Sequence, residues 1–393
     1  MRFLDVDHSL MKRDDEISKI VLQQEISVKI MQSAEKVVYL GLYLFIYFKC
    51  SSFSPLIIRL ERKTFMRAII PVAGVGSRLR PHTYTLPKVL LNVAGKPILG
   101  HILDELVQQG FKEATIITGY MKELVEQYVT TNYSLKFDFV EQSELKGLGH
   151  ALWLARHTFT DDPLFIILGD TIFDVALGEV LQSEHSALGV KTVEDPRRFG
   201  VVEIDTNNQF VAKLVEKPEV PPTNLAIVGL YYIKKPQLLA KCLDYIVTNN
   251  IRTRDEYQLT DALQRMIDEG EQFTTFPVEG WYDCGKPETM LATNRYLLER
   301  KPLSRECTDT IIIPPVYISP SAVVERSVVG PFATVAEGAM VLNSIVRDSI
   351  ISDYATVDQS MLDRSIVGNN AQVRGNFRRI NVGDSSEVDF STP

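Results

Sequence analysis

The sequence predicts an α/β protein: a doubly wound, mostly parallel sheet with helices on both faces, followed by a hexapeptide-repeat β-helix. Three observations carry that prediction. Between residues 67 and 300, short β-branched runs alternate with amphipathic stretches of helical period, the pattern of βαβ units. The first run, Ile69-Ile70-Pro71-Val72-Ala73, leads straight into the glycine turn Gly74-Val75-Gly76-Ser77. After residue 310, apolar residues recur every five or six positions, from Ile318 through Val323, Val329 and Val335 to Val373. Even steps of that length stack turns into a solenoid.

Taken in order, a strand is expected over 67–73 and an amphipathic helix over 97–109. Ile98, Ile102, Leu103 and Leu106 share that helix's apolar face, and Gly110 stops it. Strands over 114–118, 137–140 and 164–168 alternate with helices over 121–129 and 149–158. The run 164–168 ends at Gly169-Asp170. Ligands of such sheets sit beyond the carboxyl ends of the strands, so the 74–78 turn and Asp170 can converge. From Ser186 the chain becomes richer in strands, with 200–205 and 210–215 flanking Thr206-Asn207-Asn208-Gln209, a hairpin-like turn. A strand over 225–233, helices over 237–247 and 258–268, a strand over 273–278 and a helix over 287–299 follow. Such an added sheet region can close over a second substrate.

The chain's 393 residues suffice for two domains with an appendage. Its 45% hydrophobic and 23% charged content fits a globular protein with an ample core. A net charge of −8 argues against a general nucleic-acid binder. Cys50, Cys242, Cys284 and Cys307 form no C-x-x-C pair and no zinc spacing. Reduced thiols in a cytoplasmic protein are therefore expected. The apolar run 37–48 is shorter than the about 20 residues that span a bilayer and starts too far from Met1 for a secretory signal. No membrane association is expected, with a membrane anchor in this segment as the alternative reading.

Chemistry concentrates in a few residues. Glycines at 74 and 76 let backbone N–H groups approach phosphate oxygens, while Arg78 and Lys88 supply positive charge, a combination suited to a nucleoside triphosphate. A Gly-x-Gly alone more often marks an ordinary strand-to-helix turn, and the two cations tilt the balance the other way. Asp170 or Asp283 alone would read as a solvated loop acid. Beside a triphosphate turn, the two can supply oxygen ligands to Mg²⁺, which takes one or two carboxylates plus substrate phosphates. Glu216-Lys217-Pro218 standing alone would be a surface pair before a turn.

The run Gly74, Gly76, Ser77, Arg78, Leu79, Pro81, Thr83, Pro87, Lys88 resembles the opening motif of the sugar-1-phosphate nucleotidyltransferases (NDP-sugar pyrophosphorylases), G-x-G-T/S-R-L-x-P-x-T-x-x-x-P-K. The likeness is strongest to the glucose-1-phosphate uridylyl- and thymidylyltransferases. It implies a Rossmann-like nucleotidyltransferase domain over 66–301 that joins UTP or dTTP to a sugar 1-phosphate, with Mg²⁺ as cofactor. Asp170 matches the metal-binding aspartate of the family's L/N-G-D motif and Asp283 that of W-x-D-x-G. Ala73, Gly74, Gly76 and Ser77 fall on the nucleotide-binding turn. The resemblance places Arg78 on the triphosphate, Lys88 between the α-phosphate and the incoming phosphate, and Lys217 on the sugar phosphate. Glu216 falls on sugar hydroxyls, and Gly200, Asn224, Ile227 and Glu256 on the sugar pocket.

Gln142 with Gly147-Leu148-Gly149-His150-Ala151 matches the base-reading loop, and a Gln amide can pair with the imide edge of uracil or thymine. That loop looks uridylyl-specific, whereas Leu168-Gly169-Asp170-Thr171-Ile172-Phe173 looks thymidylyl-specific. His150 is expected to order the loop. The repeat over 310–375 resembles the left-handed β-helix of related enzymes, with 376–393 as a tail. All six histidines precede it, so it lacks the base that acyl transfer needs, and assembly into a homo-oligomer or a regulatory role is expected instead. Family members usually begin near Met66, so 1–65 is expected to be a misassigned start or a dispensable extension. The rival reading is a catalytically silent sensor subunit. Such proteins typically lose the lysine or the metal-binding carboxylates, and here Arg78, Lys88, Asp170, Lys217 and Asp283 are all present.

Overall fold

Strand β1 (Arg67–Pro71) is buried on both sides. Ala68 and Ile70 join one apolar cluster and Ile69 another, which is why the run is uniformly apolar rather than alternating. The computed structural model describes residues 66–207, 209–300, 307 and 309–375. The expected extension over 1–65, with Cys50 and the apolar run 37–48, lies outside the described residues, as do Asn208, Lys301 and the tail 376–393.

A small hairpin follows, β2 (Asn92–Val93) and β3 (Lys96–Pro97), then β4 (Glu113–Thr118), β5 (Lys136–Glu141), β6 (Leu164–Ile167) and β7 (Thr171–Asp174). The second half adds β8 (Ser186–Thr192), β9 (Gly200–Ile204), β10 (Val211–Glu216), β11 (Leu225–Ile233), β12 (Phe273–Pro277) and β13 (Gly280–Asp283). The helices of this part are α1 (Ile98–Gln108), α2 (Lys122–Asn132), α3 (Leu148–Ala155), α4 (Leu177–Val180), α5 (Pro236–Thr248), α6 (Leu259–Asp268) and α7 (Pro287–Arg300).

The order β6-β1-β4-β5 is parallel throughout, with Ala68 opposite Ala114 and Phe165, and Ala114 opposite Phe137. Beyond β6 the sheet becomes mixed. β11 runs antiparallel to β6 and to β8, the β9–β10 hairpin joins through Ala226 opposite Val201, and β12 lies parallel to β8. One face is covered by α1 and α2, whose Ile98, Leu99, Leu103, Leu106 and Val129 are fully buried. The other is covered by α3, α5 and α6 through Leu152, Leu239, Leu243 and Leu263. Each such aliphatic side chain contributes about 1.5–3 kcal/mol relative to exposure.

Strand β7 was not expected. It leaves the main sheet to form a two-stranded antiparallel ribbon with β13, Thr171 opposite Asp283 and Asp174 opposite Gly280. This ribbon joins the two carboxylates singled out in the sequence.

From Ile311 to Arg374 the strands fall into three parallel ladders of four, the triangular section of a β-helix. Ile311, Val328, Ile345 and Met361 stack in register, so three steps of five or six residues make one coil of 16 or 17. Val329, Val335, Val341, Val346, Ile351 and Val357 fill the interior, fully buried. One corner is turned by Arg326, Asn343 and Gln359, each with φ near +50°, a conformation that costs most residues energy and is repeated here at each level.

The β-helix sits against α7. Fully buried Asn294 accepts hydrogen bonds from the Ala94 N–H (2.8 Å) and the Thr334 hydroxyl (2.7 Å) and donates to the Phe332 carbonyl (3.2 Å). The neighbouring Arg295 holds Asp348 bidentately, and Ile350 completes the cluster that contains α1.

Candidate active site

The turn after β1 is shaped by one glycine. Gly76 has φ +68°, and a Cβ there would lie 2.9 Å from the Lys88 Cβ. The turn therefore folds back onto the single 3-10 turn Lys88–Leu90. The buried Thr83 hydroxyl ties it down by donating to the Gly76 carbonyl at 2.9 Å. Ala73 is buried, while Gly74, Ser77 and Arg78 stand exposed at the turn, and no atom lies within 4 Å of a Cβ at Gly74.

Lys88 is almost wholly buried, and its ammonium meets both acids: Nζ lies 2.7 Å from Asp170 Oδ2 and 3.8 Å from Asp283 Oδ1. Asp170 is placed by Gly169, whose N–H donates to the Pro71 carbonyl at 3.3 Å. Asp283 is placed by the β7–β13 ribbon and by the Cys284 N–H, which donates to the Asp170 carbonyl at 3.1 Å. Burial raises the Asp283 carboxyl above the usual range, and the like charge of Asp170 adds to that. Lys88 pulls it down, followed by Arg78 and Arg198. At residue 285 a Cβ would lie 2.7 and 2.9 Å from the Asp283 carboxylate oxygens and 3.0 Å from Arg78 Nη2. Glycine thus lets the Arg78 guanidinium approach the acid pair.

On the expected base-reading side, buried Gln142 donates from Nε2 to the Gly147 carbonyl at 3.1 Å. His150 stacks near-parallel to Trp153 and Tyr257, at centroid distances of 5.7 and 6.1 Å, and burial lowers its pKa. The segment around Tyr257 braces this loop: Gly149 N–H donates to the Tyr257 carbonyl at 2.8 Å, and Tyr257 N–H to the Lys146 carbonyl at 2.9 Å.

The expected sugar side assembles around Glu216. A Cβ at Gly200 would lie 3.0–3.1 Å from Glu216 Oε2, Ile227 Cδ1 and Thr260 Oγ1. The Thr260 hydroxyl donates to Glu216 Oε2 at 2.7 Å, and Lys217 Nζ lies 3.2 Å from Glu216 Oε1. Lys217 has φ +43°. That unfavourable backbone is held by its N–H on the Phe199 carbonyl (3.0 Å) and by Arg254, which donates to the Lys217 carbonyl (2.7 Å). The Phe199 ring packs edge-on to Trp281 at 4.8 Å, and Trp281 precedes Asp283 by two residues in β13. This contact joins the lysine end of the site to the acid pair.

Not every expected sugar residue is drawn into that group. Asn224 and Glu256 are exposed, and no contact among the described residues ties their side chains to Glu216. Glu256 instead lies beside Gly147, with its Cβ 2.9 Å from where a Gly147 Cβ would be. Thr83 was named only as part of the opening motif, and Arg254, Tyr257 and Thr260 were not singled out from the sequence. The latter three lie between two residues before and four after Glu256, so the neighbourhood carried the signal and the individual roles did not.

A family model for nucleotidyl transferases matches residues 67–300. The chain is 34% identical over 232 residues to a UTP–glucose-1-phosphate uridylyltransferase of Haloferax volcanii, covering 57% of this chain and 93% of that one. Over 362 residues it is 28% identical to a glucose-1-phosphate thymidylyltransferase of Streptomyces antibioticus, covering 83% of this chain and the whole relative. The structure of a UDP-glucose pyrophosphorylase complexed with UDP-glucose superposes with a TM-score of 0.52 at 24% identity, over 60% of this chain and all of the other, a likeness of fold. Because the family model covers the whole α/β unit that carries the glycine turn, the acid pair and the lysines, the chain belongs to the nucleotidyl transferase family.

Proposed function

We propose that this nucleotidyltransferase joins UTP or dTTP to a sugar 1-phosphate, with glucose 1-phosphate as the first candidate, releasing pyrophosphate. The observation that carries the reading is the convergence of Lys88, Asp170 and Asp283 beside the glycine turn. A phosphate oxygen of the sugar 1-phosphate attacks the α-phosphorus, and the bond to pyrophosphate breaks with its electron pair leaving on pyrophosphate. The attacking oxygen is ionised at neutral pH, so no base is required. The barrier lies in bringing two anions together, and positioning with fixed positive charge lowers it.

In this scheme Arg78, exposed beside the acid pair, takes the departing pyrophosphate. Lys88, held rigidly by its burial, faces the α-phosphate. Lys217 fixes the sugar phosphate and Glu216 the sugar hydroxyls, with Gly200 and Ile227 against the ring. Gln142 and Gly147 meet the base. The donor set suits Mg²⁺: two carboxylates share one buried ammonium, a pairing that a divalent cation can replace or join. Mg²⁺ commonly takes only one or two carboxylates and completes its shell with substrate phosphates and water. Asp170 and Asp283 would hold Mg²⁺, which when bound supplies charge neutralisation at the phosphates.

The test is pyrophosphate release across a panel of nucleoside triphosphates and hexose 1-phosphates with Mg²⁺. Turnover confined to UTP or dTTP with a glucose-type phosphate is expected. No activated sugar from any pair contradicts the reading.

A further inference from the structure

Two arginines stand side by side in the turn between β8 and β9, and the structure uses them differently. Arg197 is spent on Asp195, to which its Nε and Nη2 each donate at 2.8 Å. Arg198 is exposed and makes no ion pair or side-chain hydrogen bond with any described residue. Its backbone is nevertheless fixed. The Phe199 N–H closes the turn on the Pro196 carbonyl at 3.0 Å, the Phe199 carbonyl accepts the Lys217 N–H at 3.0 Å, and the Phe199 ring rests on Trp281. Arg198 therefore rides on the piece of chain that links Lys217 to the strand bearing Asp283.

An exposed arginine on a mobile loop is ordinarily just solvated. This one is anchored through its neighbour to both halves of a phosphate-handling site, and no described carboxylate forms an ion pair with it. A planar guanidinium carried on a fixed backbone offers paired donors suited to a phosphate. We propose that Arg198 is a further substrate-binding residue of the reaction centre, engaging the phosphate of the sugar 1-phosphate between Lys217 and the acid pair. The assignment rests on the transfer reaction proposed above and deepens it. Arg198 adds a cation where two anionic substrates must be brought together.

Steady-state kinetics of the full chain test it, with sugar 1-phosphate varied at saturating nucleotide and then the reverse, for wild type, Arg198→Ala, Arg198→Lys and Arg197→Ala. Loss of a charge-assisted hydrogen bond predicts an about 10- to 100-fold fall in kcat/KM for the sugar 1-phosphate in Arg198→Ala. KM for the nucleotide and the melting temperature should hold. Arg198→Lys should recover part of the loss, and Arg197→Ala should match wild type. Wild-type kinetics in Arg198→Ala, or equal losses in both alanine variants, overturn the assignment alone. Wild-type protein that turns over no substrate pair overturns the transfer reaction itself, and this assignment with it.

Discussion

Lys88 donates to Asp170 at 2.7 Å across 82 residues of sequence, from a position almost closed to solvent. A buried ammonium is tolerable only with such partners, and the two carboxylates in turn are held together by it. Replacing it with an isosteric apolar group, Lys88→Met, should leave Asp170 and Asp283 facing each other with their repulsion exposed. In EDTA the variant should lose about 1–3 kcal/mol of stability, a range that allows for the partial exposure of both acids. Mg²⁺ should restore much of it. Urea denaturation with and without Mg²⁺ reads the difference, and a variant indifferent to the metal argues against a shared cation site.

Thr260 orients Glu216. Its buried hydroxyl donates to one carboxylate oxygen at 2.7 Å, fixing the side chain assigned to the sugar. Thr260→Val should raise KM for the sugar 1-phosphate about 5- to 10-fold, the worth of one hydrogen bond, and leave KM for the nucleotide alone. Equal changes in both would move Glu216 away from the sugar.

Gly285 is a test of the Arg78 placement. An added methyl group lies 2.7 Å from an Asp283 oxygen and 3.0 Å from Arg78 Nη2, so Gly285→Ala must displace one of them. Misplacement on that scale can cost about 100-fold in turnover, while circular dichroism should show an intact fold. Full activity would mean that Arg78 works elsewhere.

The junction with the β-helix should depend on Asn294, which satisfies three groups at once. Asn294→Leu strands the Ala94 N–H and the Phe332 carbonyl in a buried junction. A loss of about 2–4 kcal/mol is expected from chemical denaturation. An unchanged midpoint would show that water reaches the interface freely.

A buried thiol should help set the alkaline limit of stability. Burial pushes Cys242, fully enclosed in α5, up from 9.0 to about 11. Below pH 9 the thiol is neutral in both folded and unfolded chains and costs nothing. Above it the unfolded thiol ionises while the folded one resists, so stability drains away between pH 9 and about 11. Melting curves across that window should fall less steeply for Cys242→Ala. Identical slopes would exclude the thiol as a contributor.

What the sequence made legible was local. The apolar run of β1 and its glycine turn declare themselves within thirteen residues, and the five- and six-residue steps give the coils directly. Asp170 and Asp283 were each visible at the end of an apolar or aromatic run, but their meeting depends on β7. Its four residues Thr171-Ile172-Phe173-Asp174 pair only with a strand more than a hundred positions on, and no local period reveals that. Thr260 reads as an ordinary helix-start residue until Glu216 is beside it. Asn294 reads as a solvent-facing polar residue of α7 until Thr334 and Phe332 arrive from the β-helix. The mixed half of the sheet was signalled only as a rise in strand content, because antiparallel partners there are set by tertiary pairing.

The most direct measurement is the Mg²⁺ dependence of pyrophosphate release by wild type and Asp283→Asn with the best substrate pair from the panel. Saturable dependence on the metal, abolished by EDTA, is expected for wild type. In the variant, half-saturation should move at least about 10-fold higher and turnover should fall about 100-fold. Activity that survives EDTA, or an Asp283→Asn titration that overlays wild type, would contradict a reaction centre built on the Lys88-bridged acid pair.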